Sequence, residues 1–104
     1  MYIAMNRFKV LKGLEAEFEN LWKNRESTLH EMQGFRSFHL LSGPANKTEG
    51  YTLYVSHSEW EDQDAFNAWM KSQNFRDTHK NLGTGKVLTD GPPHFEGFLT
   101  VEGA

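Results

Sequence analysis

Four strand-like stretches and two helical ones, in the order β-α-β-β-α-β, predict an α+β domain of ferredoxin-like topology. Three observations carry this reading. The chain opens on a ten-residue alternating stretch, follows it with an apolar stripe of helical period, and then places two strand-like stretches around a run of turn residues. The 104 residues form one domain, 1–104, with no linker, repeat or low-complexity tract.

Taken in order, residues 2–11 (YIAMNRFKVL) alternate as a strand, with Tyr2, Ala4, Asn6, Phe8 and Val10 on one face and Ile3, Met5, Arg7, Lys9 and Leu11 on the other. Gly13 ends it. Over residues 14–32 the stripe Leu14, Phe18, Leu21, Trp22, Leu29 and Met32 predicts one helix, stopped by Gly34. Residues 35–42 and 51–60 read as a strand pair, with GPANKTEG between them as the hairpin turn. Asp62 is the expected N-cap of a short helix bearing Ala65, Phe66, Trp69 and Met70, with Ser58 and Glu61 as a competing capping box. A further helical piece is expected at about 73–81, with Phe75 and His79 on one face, then a long mobile loop over 82–93 and a last strand over 94–101.

Both faces of this sheet call for cover. On the first strand Ile3, Met5 and Leu11 oppose Tyr2, Ala4, Phe8 and Val10; on the third, Tyr51, Leu53 and Val55 oppose Tyr54 and Trp60. Helices cover one face only, so a second copy of the sheet is expected on the other, giving a two-fold homodimer.

Composition removes several classes of function. With no cysteine there is no disulfide scaffold, thiolate nucleophile, zinc–thiolate site or cysteine-ligated cofactor. The net charge of −3 and the lack of a basic run argue against nucleic-acid binding. The apolar stretch Tyr2–Met5 is too short for a signal peptide or membrane span, so the expected compartment is the cytoplasm. His30, His39, His57, His79 and His94 make no local zinc motif, and no nucleophile elbow or P-loop is present. The acidic group Glu59, Glu61, Asp62 and Asp64 reads as a complement to a helix N-terminus.

Taken alone, Trp69 is a core indole and His79 a boundary imidazole. Asn6 changes that, because a polar amide in the middle of an apolar strand face needs partners or a task. Asn6, Trp69 and His79 are expected to converge between the sheet and the second helical region. The chain here resembles the IsdG-type haem-degrading monooxygenases, within the wider antibiotic biosynthesis monooxygenase family of dimeric α+β barrels. The segments that carry the likeness are A-M-N-R-F at 4–8, G-F at 34–35, W-E-D-Q-D-A-F-N-A-W at 60–69 and F-R-D-T-H-K at 75–80.

The resemblance implies that His79 is the proximal ligand of the haem iron. It puts Asn6 on the distal side, its amide donating to dioxygen, and Trp69 against the macrocycle, helping to distort it. Haem is then cofactor and substrate together, with Phe75 beside it. Arg25 is expected to pair a propionate ahead of Lys71, Arg76 and Lys80. The 82–93 loop is the expected flap over the haem edge, or simply a disordered connection. The implied reaction consumes O2 and draws electrons from an external donor such as a reductase, since no flavin or iron–sulfur motif is present. Two other functions stay open: a cofactor-free monooxygenase acting on an aromatic or quinone-like substrate, and a non-enzymatic haem carrier or sensor.

Overall fold

In the computed structural model, which describes residues 1–25, 27–73, 75 and 87–104, the elements are β1 (Tyr2–Leu11), α1 (Glu15–Lys23), a 3-10 turn (Leu29–Glu31), β2 (Phe35–Asn46), β3 (Tyr51–Trp60), α2 (Gln63–Met70) and β4 (His94–Leu99). The sheet order is β2-β3-β1-β4, every pair antiparallel, which is the ferredoxin-like arrangement expected from sequence. β1 and β3 pair without interruption from Tyr2↔Trp60 to Leu11↔Tyr51. Their even-numbered side chains therefore share one face, and both helices pack there: Phe18 of α1 against Phe8 and Tyr54, and Phe66 of α2 against Tyr2 and Trp60.

The helix expected over 14–32 is two pieces. α1 stops at Lys23, and the Arg25 guanidinium donates to the Trp22 carbonyl at 2.7 Å. That carbonyl is one a continuing helix would use for its own ladder. The apolar stripe also divides: Phe18, Leu21 and Trp22 pack around Val10 and Tyr54, whereas Leu29 and Met32 pack with Tyr2, Trp60 and Phe66. One straight helix cannot serve both groups, so the chain breaks and re-enters as the 3-10 turn.

The hairpin turn is shorter than expected. β2 runs on through Asn46, with a register shift between Ser42 and Ala45 that absorbs Gly43 and Pro44. An edge strand tolerates both residues at such an irregularity. The turn itself is 47–50, where the Asn46 side chain accepts the Thr48 and Glu49 N–H groups at 3.1 and 3.0 Å and Gly50 takes φ +74°.

Asp62 caps α2, accepting the Ala65 N–H at 2.8 Å. The competing Ser58–Glu61 box does not form, because Ser58 lies within β3 and the Glu61 N–H donates instead to the Gly34 carbonyl at 2.7 Å. β4 ends at Leu99 rather than at residue 101. Most of the helical piece expected at 73–81, and residues 82–86 of the expected loop, lie outside the described residues. The rest of that loop is not free. β4 pairs with β1 only as far as Arg7, and residues 88–90 take over the exposed edge beyond it: Leu11 N–H donates to Leu88 O at 2.9 Å and Asp90 N–H to Lys9 O at 2.8 Å. Leu88 is buried with Val10, Phe18 and Tyr54, which fastens the segment further.

Gly34 is a close-packed joint between the start of β2 and α2. It adopts φ +81°, and a Cβ built there would lie 2.6 Å from the Ala65 Cβ on α2. Gly34→Ala combines left-handed strain of about 1–2 kcal/mol with overpacking of about 1–3 kcal/mol. The expected result is a melting temperature lowered by roughly 10 °C or more in thermal circular dichroism. A loss under about 3 °C would contradict both the strain and the overpacking.

Candidate active site

The helix-side face holds two apolar clusters. One gathers Tyr2, Ala4, Leu29, Trp60, Phe66 and Trp69; the other gathers Val10, Phe18, Tyr54 and Leu88. Along β1, Tyr2 and Ala4 belong to the first and Phe8 and Val10 to the second, and Asn6 stands between them. β3 repeats the pattern, with Trp60 in the first, Tyr54 in the second, and Ser56 and Ser58 between. Where both strands switch to polar side chains the core does not close. A cavity of about 320 Å³ lies there, at the small end of the range for pockets that hold organic ligands.

Asn6 lines this cavity, half-buried, and its amide makes no hydrogen bond to another described residue. Trp69 forms a wall from α2. It is 5% exposed, stacks on Trp60 with centroids 6.3 Å apart, and meets the Phe75 ring edge-on at 5.5 Å. Phe75 lines the same cavity. Arg25 enters from the segment after α1, its guanidinium carbon 4.9 Å from the Trp22 ring centre and 4.5 Å from that of Phe38. Burial lowers the Arg25 pKa from the usual arginine value, yet a guanidinium stays charged at neutral pH. No described carboxylate pairs with it. Arg25, Trp22 and Phe38 also border a second groove, closed by Tyr54, whose hydroxyl donates to Glu19 Oε2 at 2.5 Å. Burial first, and the Glu19 contact second, push the Tyr54 phenol above its ordinary range.

The structure thus brings Asn6, Trp69, Phe75 and Arg25 to one cavity. His79, Arg76 and Lys80 lie outside the described residues. Lys71 is exposed and does not line the cavity. His39, His57 and His94 fall on the opposite sheet face, at register with Met5 and Arg7, and His30 is exposed on the 3-10 turn. Among the described residues no three histidines or carboxylates gather as a metal site.

Sequence reasoning missed several lining residues. Trp22, Leu29 and Phe66 fit helical stripes and were indistinguishable from core; Phe38 and Phe95 sit on strands. Ser56 was legible in principle. It interrupts the apolar face of β3 at the residue paired with Asn6 of β1.

The profile of the antibiotic biosynthesis monooxygenase family matches residues 1–81. Over 95 residues the chain is 26% identical to a heme oxygenase (staphylobilin-producing) of Staphylococcus saprophyticus, covering 89% of this chain and 85% of that one. Among solved structures, a MhuD variant with two manganese protoporphyrin IX molecules bound per active site superposes with a TM-score of 0.70 at 22% identity, covering 100% of this chain and 98% of that one. SnoaB, a cofactor-independent oxygenase from Streptomyces nogalater, superposes with a TM-score of 0.66 at 23% identity, covering 97% and 93% of the two chains.

Proposed function

The chain belongs to the antibiotic biosynthesis monooxygenase family, and from that premise we propose that this oxygenase binds haem and cleaves the porphyrin, consuming O2 and external electrons and releasing iron and an open-chain tetrapyrrole. The observation that carries the reading is the single cavity shared by Asn6, Trp69 and Arg25. Its aromatic walls suit a flat macrocycle, and the heme oxygenase relative from Staphylococcus saprophyticus lends weight.

Haem, when bound, supplies both the iron and the carbon that is oxidised. The chain does the rest. Asn6, whose amide bonds to no described residue, would donate to dioxygen beside a bound haem. Trp69, backed by Trp60 and Phe75, would press on the macrocycle. Arg25, a half-buried cation with no described carboxylate partner, would pair a propionate. His79 is the proposed iron ligand. Replacing His79 by alanine is expected to remove the iron–imidazole signature from the haem spectrum while the circular dichroism is unchanged. A parental spectrum in that variant would pass the role to another histidine.

The sheet face away from the helices is where a second copy is proposed to pack. Leu41 and Phe98 are 44% and 47% exposed there, beside Ile3, Met5 and Leu53. Light scattering at micromolar concentration is expected to give twice the mass of one chain, and a single-chain mass would contradict the dimer. The donor of electrons is proposed to be a separate reductase, and the compartment the cytoplasm. Among the described residues no helix is long and apolar enough to cross a membrane.

The size of the cavity favours one rival, a family member that oxidises a smaller aromatic substrate without haem. Haem titration separates the two.

A further inference from the structure

We propose that Ser56 is a second hydrogen-bond donor in the active site, addressing the same small ligand as Asn6. The inference rests on the haem reading above and adds a residue to it. Ser56 is 6% exposed and is the one buried polar side chain among the described residues. It lines the cavity, and its hydroxyl hydrogen-bonds to no described residue. Its neighbour two positions along the same face, Ser58, is already committed, accepting from Trp60 Nε1 at 3.0 Å and reaching the Ala4 carbonyl at 3.4 Å. Among the described residues no fully buried side-chain oxygen or nitrogen lacks a partner, so the Ser56 hydroxyl opens onto the cavity, free to address a ligand held there.

The register makes the pairing specific. Asn6 of β1 stands directly opposite Ser56 of β3, and facing residues on neighbouring antiparallel strands hold their Cβ atoms about 4.5–5.5 Å apart. An amide donor and a hydroxyl donor thus sit side by side on two paired strands, surrounded by Ala4, Phe8, Phe38 and Phe66. Two adjacent donors on a rigid sheet do more than one. A lone amide fixes that a ligand is held; a second donor beside it fixes which way the ligand leans. The ligand class that fits is a diatomic with an accepting outer atom, dioxygen in turnover and cyanide as its stable stand-in.

The test is a cyanide titration of the ferric haem complex, compared for the parent, Ser56→Ala and Ser56→Thr, with haem affinity and melting temperature measured alongside. Ser56→Ala is expected to weaken cyanide binding about 3- to 10-fold, the loss of one net hydrogen bond. Haem affinity should stay within about two-fold, because no ring contact is lost. Ser56→Thr keeps the hydroxyl on a strand that favours branched residues and should restore cyanide affinity. Unchanged cyanide affinity in Ser56→Ala overturns the proposal while leaving the haem reading standing. So does a variant that melts lower yet binds cyanide normally, since Ser56 would then be structural. A parent that forms no haem complex overturns both.

Discussion

Asn6→Ala is expected to bind haem within a few-fold of the parent and to degrade it about a hundred- to a thousandfold more slowly. The two effects separate because they draw on different parts of the site. Capture rests on burying a large apolar ring among Phe8, Phe38, Phe66 and Trp69 and on the proposed iron–His79 bond. Asn6 belongs to neither. Its amide bonds to no described residue and sits between the two apolar clusters, where a donor acts on charge that develops only as dioxygen is activated. In a cavity lined largely by apolar side chains such a donor contributes roughly 2.7–4 kcal/mol to the transition state. Binding titrations with single-turnover decay of the main haem absorbance band measure both quantities. Parental decay in Asn6→Ala would remove its mechanistic role.

Trp69→Ala is expected to lose rate and affinity together, with stability as well. The indole is 5% exposed and touches Trp60 and Phe75, so truncation costs roughly 3–5 kcal/mol of folding free energy. That is a large share of the about 5–15 kcal/mol typical of a domain. Trp69→Phe separates the roles. It keeps an aromatic wall and most of the packing, and should retain part of the affinity and part of the rate. Trp69→Phe decaying haem at the parental rate would show that any aromatic ring suffices there. Trp69→Ala doing so, in its folded fraction, would end the claim that this wall distorts the ring.

The fold was readable because β1, β3 and α2 each have a local pattern that agrees with their tertiary role. Alternation in 2–11 and 51–60 set the faces, and Asp62 marked the start of α2 correctly. The errors share a cause. Whether 14–32 stays one helix depends on Arg25 reaching back to a carbonyl and on which cluster Leu29 joins, and neither is local. The segment 87–90 looked loose for the same reason: its partner is the β1 edge left by a short β4, some eighty residues earlier in the chain. Asn6 stood out as a polar residue on an apolar strand. Ser56 carries the same mark more faintly, because a serine on a strand attracts no notice until its register partner is known.

The central claim is that this cavity holds haem as a substrate. Titrating the purified protein with haem, then adding ascorbate in air and following the main absorbance band, tests it most directly. The account predicts saturation near one haem per chain, then decay of the band with release of iron and an open-chain tetrapyrrole. A band that persists under reductant and air would make the protein a carrier, and the absence of any haem complex would leave the cavity to a smaller aromatic substrate.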